Sequence, residues 1–553
     1  MLKDVELMLL EQLEYLNREV TETAGVFPGS WEGRSVGEIL AVFDEDALRR
    51  LAEKKDEEVG TLISGREWSV LIPAIRKNAR LSKLVCVGRT EPDTQQKAEK
   101  TQASGPENVP ETADSPAIKP ENAPETAGSP AIKPENVPET AGSPAINPEN
   151  APETAGSHAI KPENALDSAG LPENRPEDDP EAVYATCYLA DDGKAYVAFR
   201  GTSSGFEWYD DVDGLHGSDT VCQEAALACL ESLPFDDITV IGHSKGGNKA
   251  QYLAIVSEKV TRCISMDGQG FSREFLEKYA EKIQAKAGSV RNYSLSRDYV
   301  HILMYPIPGA EQIYCKGGQR HHGYFAHSSA GFFQYDEGEP FRLMLDETGL
   351  PYFLQTEENQ GMHYLHGFTC FALATMAANM KELMIVYIGN ILALSMTGDY
   401  VVTEGEKVYD HGKLADYIFS DQRTAAFFLA YLLKYVDICR FSEEQFTALL
   451  GAMGVKGFYE NLLGAADRRR QKGFYKQGSS LLVFFLRQLK DGRVDPILEE
   501  MFEVAAKQVF RKNALKGLDG AFNVRKFWRD TERAFGRIRV ADPEKAIADY
   551  HRD

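Results

Sequence analysis

The segment "FDDITVIGHSKGGNKAQYLAIVSEK", residues 235–259, constrains this chain more than any other. A short β-branched apolar run reads as a strand buried on both faces, and it passes through glycines and a serine directly into helical spacing at Ala250, Leu253 and Ala254. Strand, tight turn and helix in that order form the repeating unit of a mostly parallel sheet flanked by helices. Gly242 and Gly246 flank Ser244, and a Cβ at either position would collide with the neighbouring strand or helix. The strain of such a turn lifts the serine Oγ above the sheet. It also aims the first amides of the helix at that oxygen, where they favour developing negative charge. Taken alone, the G-x-S-x-G pattern discriminates weakly, because a chain of this length and glycine content yields about 0.2 such matches by chance.

At 553 residues the chain exceeds one typical core, and its net charge of -23 argues against a nucleic-acid partner. The charge is uneven. Residues 101–180 hold 15 acidic against 4 basic residues, with 15 of the 25 prolines and no aromatic residue. That composition offers little apolar surface to offset the entropy of ordering, so the segment reads as disordered. It is a tandem 14-residue repeat, "PENVPETADSPAIK", "PENAPETAGSPAIK", "PENVPETAGSPAIN", "PENAPETAGSHAIK", then a decaying "PENALDSAG". Each unit is too short and too polar to stack as a solenoid. It interrupts the fold between "KLVCVGRT" and "AVYATCYLA", and the expectation is that the chain leaves and returns at nearby points away from the active-site edge.

The eight cysteines contain no C-x-x-C pair, and no H-E-x-x-H or glycine-rich phosphate loop is present. No metal and no cofactor is implied, and a reducing, cytoplasmic setting fits. The first twenty residues carry one apolar helical stripe with several acids, unlike a signal peptide. Beyond residue 350 long helical patterns predominate, including "KLADYIFSDQRTAAFFLAYLLKYV" and "PILEEMFEVAAKQVF". Two apolar runs, "GFTCFALATMAANM" and "LMIVYIGNILALSM", are each too short to span a bilayer, and they read as buried helices, with peripheral membrane contact left open.

A second motif lies upstream, where the strand Ala195 to Phe199 ends in Arg200, Gly201 and Thr202. Together "FRGT" and "GHSKGG" resemble class 3 triacylglycerol lipases of the α/β-hydrolase fold. The form "GHSKGGNKAQY", followed by "SMDGQGF", resembles more closely a bacterial family of lipase-like proteins of unassigned substrate. The resemblance implies Ser244 as nucleophile and oxyanion-hole donors on the backbones of Lys245 and Thr202. It covers residues 181–340 well, residues 1–90 loosely and the C-terminal helices vaguely. Arg200 reads as a structural cation paired with Asp210 or Asp211. Lys245 stands where ordinary lipases carry an apolar residue, which suggests an anionic head group or effector.

In this fold the acid and then the histidine follow the serine. Asp267 and Asp298 compete. The lipase-like "N…D.V" pattern in "NYSLSRDYV" implies Asp298, while Asp267 reads as a turn residue beside Gly268 and Gly270. Among His321, His322 and His327, the resemblance implies His327, which opens "HSSAGFFQ" where the family has H-x-x-x-x-W-Q; His322 is the alternative. His243 reads as packing or hydrogen bonding, and His301 as too near Asp298 in sequence to partner it.

The expected layout is an N-terminal part of the hydrolase domain over 1–99, the repeat over 100–180, the catalytic core over 181–349 and an α-helical C-terminal domain over 350–553. The expected function is hydrolysis of a carboxylic ester or thioester, with a small-molecule acyl ester or lipid as substrate. The alternative is a catalytically silent binding or regulatory module on the same fold.

Overall fold

The computed structural model describes residues 1–55, 59, 62–90, 183–202, 210, 214, 217–318, 320–321, 326–377, 380–381, 400–403, 406–409, 422–453, 480–492 and 523–541. The repeat, His322, Asp211, "LMIVYIGNILALSM" and "PILEEMFEVAAKQVF" lie outside these residues. The chain divides into a unit of residues 1–92 and 172–553 and a second unit of residues 93–171.

The centre of the first unit is a sheet of eight strands in chain order: β1 (Val85–Thr90), β2 (Ala185–Leu189), β3 (Ala195–Phe199), β4 (Ile238–His243), β5 (Val260–Met266), β6 (Val290–Leu295), β7 (Glu311–Lys316) and β8 (Leu354–Thr356). Strands β3 to β7 run parallel, and β1, β2 and β8 are antiparallel to their neighbours. The fold is therefore α/β with a mixed, mostly parallel sheet. Every residue of β4 is buried, as expected for a β-branched run held between two parallel neighbours. Strand β8 extends the sheet past residue 349, so the sheet outlasts the expected core boundary by one short strand.

Alternation along the strands divides the core in two. On one face Tyr188, Tyr196, Ala198, Ile241, Ile264 and Tyr293 meet the N-terminal helices, among them α1 (Asp4–Glu11) and α2 (Gly65–Lys77). The other face, with Val197, Phe199, Val240 and Cys263, meets α3 (Val221–Ser232), α4 (Lys245–Val256) and the helices of 273–286. The N-terminal stripe is broken into α1, a 3-10 turn over Gln12–Tyr15 and a further helix from Arg18, which Asn17 caps. Its first three leucines after Val5 are fully buried. Each such side chain contributes roughly 1.5–3 kcal/mol, which makes this segment an integral layer of the fold.

A separate apolar cluster joins α5 (Gln360–Thr375), α6 (Gln422–Ile438), α7 (Glu443–Ala452), α8 (Leu481–Asp491) and α9 (Val524–Arg537). Aromatic pairs such as Phe371 with Tyr435 and Phe485 with Trp528 hold it. Among the described residues no helix is long and apolar enough to cross a membrane.

The register corrects one expectation about the insertion. Thr90 pairs with Ala185, Ala185 with Phe199, and Phe199 with Gly242. The chain thus leaves and returns at adjacent strand ends, but on the edge of the sheet that carries Ser244, because antiparallel β2 begins where β3 ends.

Candidate active site

Ser244 sits between β4 and α4 with φ 59 and ψ -124, a conformation costing an ordinary residue about 1–3 kcal/mol. The surroundings impose it. An added Cβ at Gly242 would lie 2.2 Å from the carbonyl carbon of Gly246, and one at Gly246 would lie 2.0 Å from the oxygen of Phe199. Strand and helix are therefore closer than side chains allow, and the turn between them is left-handed. The amide of Ser244 donates to the Met266 carbonyl, locking the turn to β5.

The loop after β3 closes over this turn. A Cβ on Gly201 would come within 3.2 Å of the Ser244 Cβ and 2.6 Å of the Tyr15 hydroxyl. Thr202 follows Gly201 in the chain, and Lys245, directly after Ser244, opens α4. Tyr15 was missed in the sequence, since only packing brings the 3-10 turn beneath this loop. Its oxygen accepts from the Gly201 amide at 3.3 Å and lies 2.6 Å from His243 Nδ1. A hydroxyl accepting from an amide donates to Nδ1, which leaves the proton of His243 on Nε2. Burial and the neighbouring His327 push the pKa of His243 well down, so the ring is neutral.

Asp298 and His327 come together from a loop after β6 and a loop after β7. His327 Nδ1 lies 2.6 Å from Asp298 Oδ1, and both side chains are buried. A ring that donates through Nδ1 keeps Nε2 bare as a base. The rings of His327 and His243 are 4.6 Å apart, which places the pair beside the serine turn. Burial alone would raise the Asp298 pKa, but the His327 and His301 partners outweigh it and hold the carboxyl well below its usual range.

Asp267 behaves in the opposite way. It has φ 47 at the end of β5, and its Oδ1 accepts from the Leu295 amide at 2.7 Å, so it tethers β5 to β6 and does not cap its own glycine loop. Burial and the charge of Asp298 push its pKa well up, making it a neutral acid. The glycine loop is held from α4 instead, where Asn248 donates to the Gln269 and Gly270 carbonyls and Gln251 to Ser265 Oγ.

Three further assignments change. Lys245 is fully buried with Nζ 2.6 Å from Asp210 Oδ2, and Asp210 also accepts from Thr220 and the Cys222 amide. The cation beside Ser244 is thus neutralised inside the protein and braces the turn against α3; it does not face a head group. Asp210 is thereby committed to Lys245 and not to Arg200, whose charge acts on buried Glu14. His301, in spite of its nearness in sequence, lies 3.2 Å through Nδ1 from Asp298 Oδ2.

The N-terminal layer holds the histidine loop. Glu67, which caps α2 through Ser64, takes Arg320 at 2.6 Å and lies 3.0 Å from His321 Nε2. Gln12 and Ser329 exchange hydrogen bonds, and Ser328 donates to the Leu62 carbonyl. Short polar side chains just after His327 are therefore tied to residues more than 250 positions away. Among the described residues, the polar side-chain atoms of His243, Asp267 and His327, and those of Asp267, Asp298 and His301, lie within 4.8 Å of one another.

The sequence profile of a family described as Mbeg1-like matches residues 173–292. The matched stretch contains Thr202, Ser244, Lys245 and Asp267 and ends ahead of Asp298, His301 and His327. No curated protein and no solved structure matches the chain.

Proposed function

We propose that this protein is a serine hydrolase of the α/β-hydrolase fold, related to lipase-like proteins, that cleaves a carboxylic ester or thioester of lipid-like character. The observation that carries the reading is a serine in a strained strand-to-helix turn beside a buried His327–Asp298 pair at 2.6 Å. His327 Nε2 takes the proton of Ser244 Oγ as the oxygen adds to the acyl carbon, and the amides of Lys245 and Thr202 receive the oxyanion. The protonated ring then gives its proton to the departing alkoxide or thiolate, leaving an acyl-serine. Water, deprotonated by the same nitrogen, adds to that acyl group and frees the carboxylic acid and Ser244. Asp298 holds the ring in the tautomer with Nδ1 protonated and stabilises its positive charge.

The helices after residue 360 form a C-terminal domain in this reading, and the protein works in the cytoplasm. A fluorophosphonate probe tests the proposal. It should label Ser244 in folded wild type and leave Ser244→Ala unlabelled, and nitrophenyl esters of rising chain length should then rank acyl preference. Folded wild-type protein that resists the probe would sink the hydrolase reading.

A further inference from the structure

Asp298 has a histidine on each oxygen. Its Oδ1 receives Nδ1 of His327, while its Oδ2 receives the amides of Val300 and His301, each at 2.8 Å, and Nδ1 of His301 at 3.2 Å. The His301 side chain is only 5 % exposed, and its other nitrogen lies 3.6 Å from Oε1 of Glu358, two residues after β8. Glu358 Oε2 lies 2.9 Å from Nδ1 of His363 on α5. A neutral imidazole has one N–H, so it cannot donate toward carboxylates on both of its nitrogens. With Nδ1 turned to Asp298 and Nε2 3.6 Å from Glu358, the doubly protonated ring sets its positive charge between two carboxylates.

We propose that His301 is a positioning residue of this site, an imidazolium clamped between Asp298 and Glu358 that fixes the acid for His327 and moderates its charge. The inference rests on the hydrolase reading. Asp298 is the carboxylate in contact with His327, and it pulls electrostatically on the ring across the 2.6 Å contact. A cation on the far oxygen reduces that pull while leaving the 2.6 Å contact intact. Burial opposes charge on His301, but its bonds to Asp298 and Glu358 outweigh it and raise its pKa to about 9. The groups facing it are Asp298 on its own loop, Tyr314 of β7 at 5.8 Å between rings, Glu358, His363 and His366 from α5 and the segment before it, and Asp267 beyond Asp298. His366 is held neutral, mainly by burial, with its pKa lowered to about 4, so His301 titrates against two carboxylates.

The test uses the full chain and the rate of fluorophosphonate labelling at Ser244 across pH. In wild type the rate falls above about pH 9 as His301 loses its proton. Glu358→Gln keeps the shape of the clamp but removes one charge, so the alkaline limb should move down by about one pH unit, a tenfold loss at a fixed pH on that limb. His301→Asn keeps a donor near Oδ2 without charge. It should lose the alkaline limb assigned to His301. Imidazole NMR of the wild type should show His301 doubly protonated at pH 7. Variants that both keep the wild-type pH profile, or a neutral His301 at pH 7, overturn the proposal. If the wild type does not label, the hydrolase reading fails, and the NMR spectrum still decides the clamp independently.

Discussion

At the scale of single residues, two aspartates at the ends of neighbouring strands have been given opposite charge states by their partners. In Asp298→Asn the amide oxygen stays with the Val300 and His301 amides and the NH2 faces His327 Nδ1, which favours the wrong tautomer, so turnover should fall by about 10³–10⁴ with folding retained. Asp267→Asn keeps an oxygen for the Leu295 amide. Because the folded pKa of Asp267 is raised, the protein loses stability as pH rises from its unfolded value of about 4 toward the folded value, and the amide abolishes that loss. The variant should therefore equal or exceed wild type in thermal midpoint at pH 7, the gain vanishing below about pH 4, with turnover changed less than tenfold. Thermal scans at several pH values and steady-state kinetics check both. Serious loss in Asp267→Asn with mild loss in Asp298→Asn would exchange their roles. The sequence distinguishes the two aspartates only through a resemblance, because the difference lies in which histidines a folded loop brings near.

Among elements, local chemistry was the legible part. The strands β3 and β4 and the helix α4 follow directly from β-branched runs, helical spacing and glycines that cannot carry a Cβ. The pairing of Gln12 with Ser329 and of Glu67 with Arg320 was not legible, because nothing local distinguishes a buried polar partner from a solvated one. Tyr15 was missed for the same reason, whereas His301 was set aside for its nearness to Asp298 in sequence. Burial would raise the Glu67 pKa, but His321 and Arg320 lower it to about 2. Its contribution to stability is thus complete above the unfolded value of about 4.3 and is lost as pH falls toward 2. Glu67→Gln leaves Arg320 without its carboxylate and should destabilise the fold by about 3 kcal/mol at pH 7. The difference from wild type should shrink from about pH 4.5 downward in denaturant titrations. Hydrogen exchange should quicken around His327, and an unchanged loop would mean that the N-terminal layer does not hold it.

For the whole molecule, the sheet fixes where the repeat is attached. Thr90 and Ala185 are register partners, and Thr90 Oγ1 accepts from the Ala185 amide at 3.1 Å. The strand ends are thus joined whatever lies between them. Replacing residues 101–178 with a short Gly-Ser linker should leave labelling of Ser244 unchanged and stabilise the fold by about 1 kcal/mol through cheaper loop closure. Loss of folding or of labelling would make the repeat part of the working fold. The same anchoring sets how the chain tolerates growth. Adding or deleting one 14-residue unit changes the closure term by only about 0.1–0.2 kcal/mol, well below thermal energy. Copy number is then thermodynamically silent, free to drift in whole units, while the two strand ends that bracket it remain in a hydrogen-bonded register that such drift cannot reach.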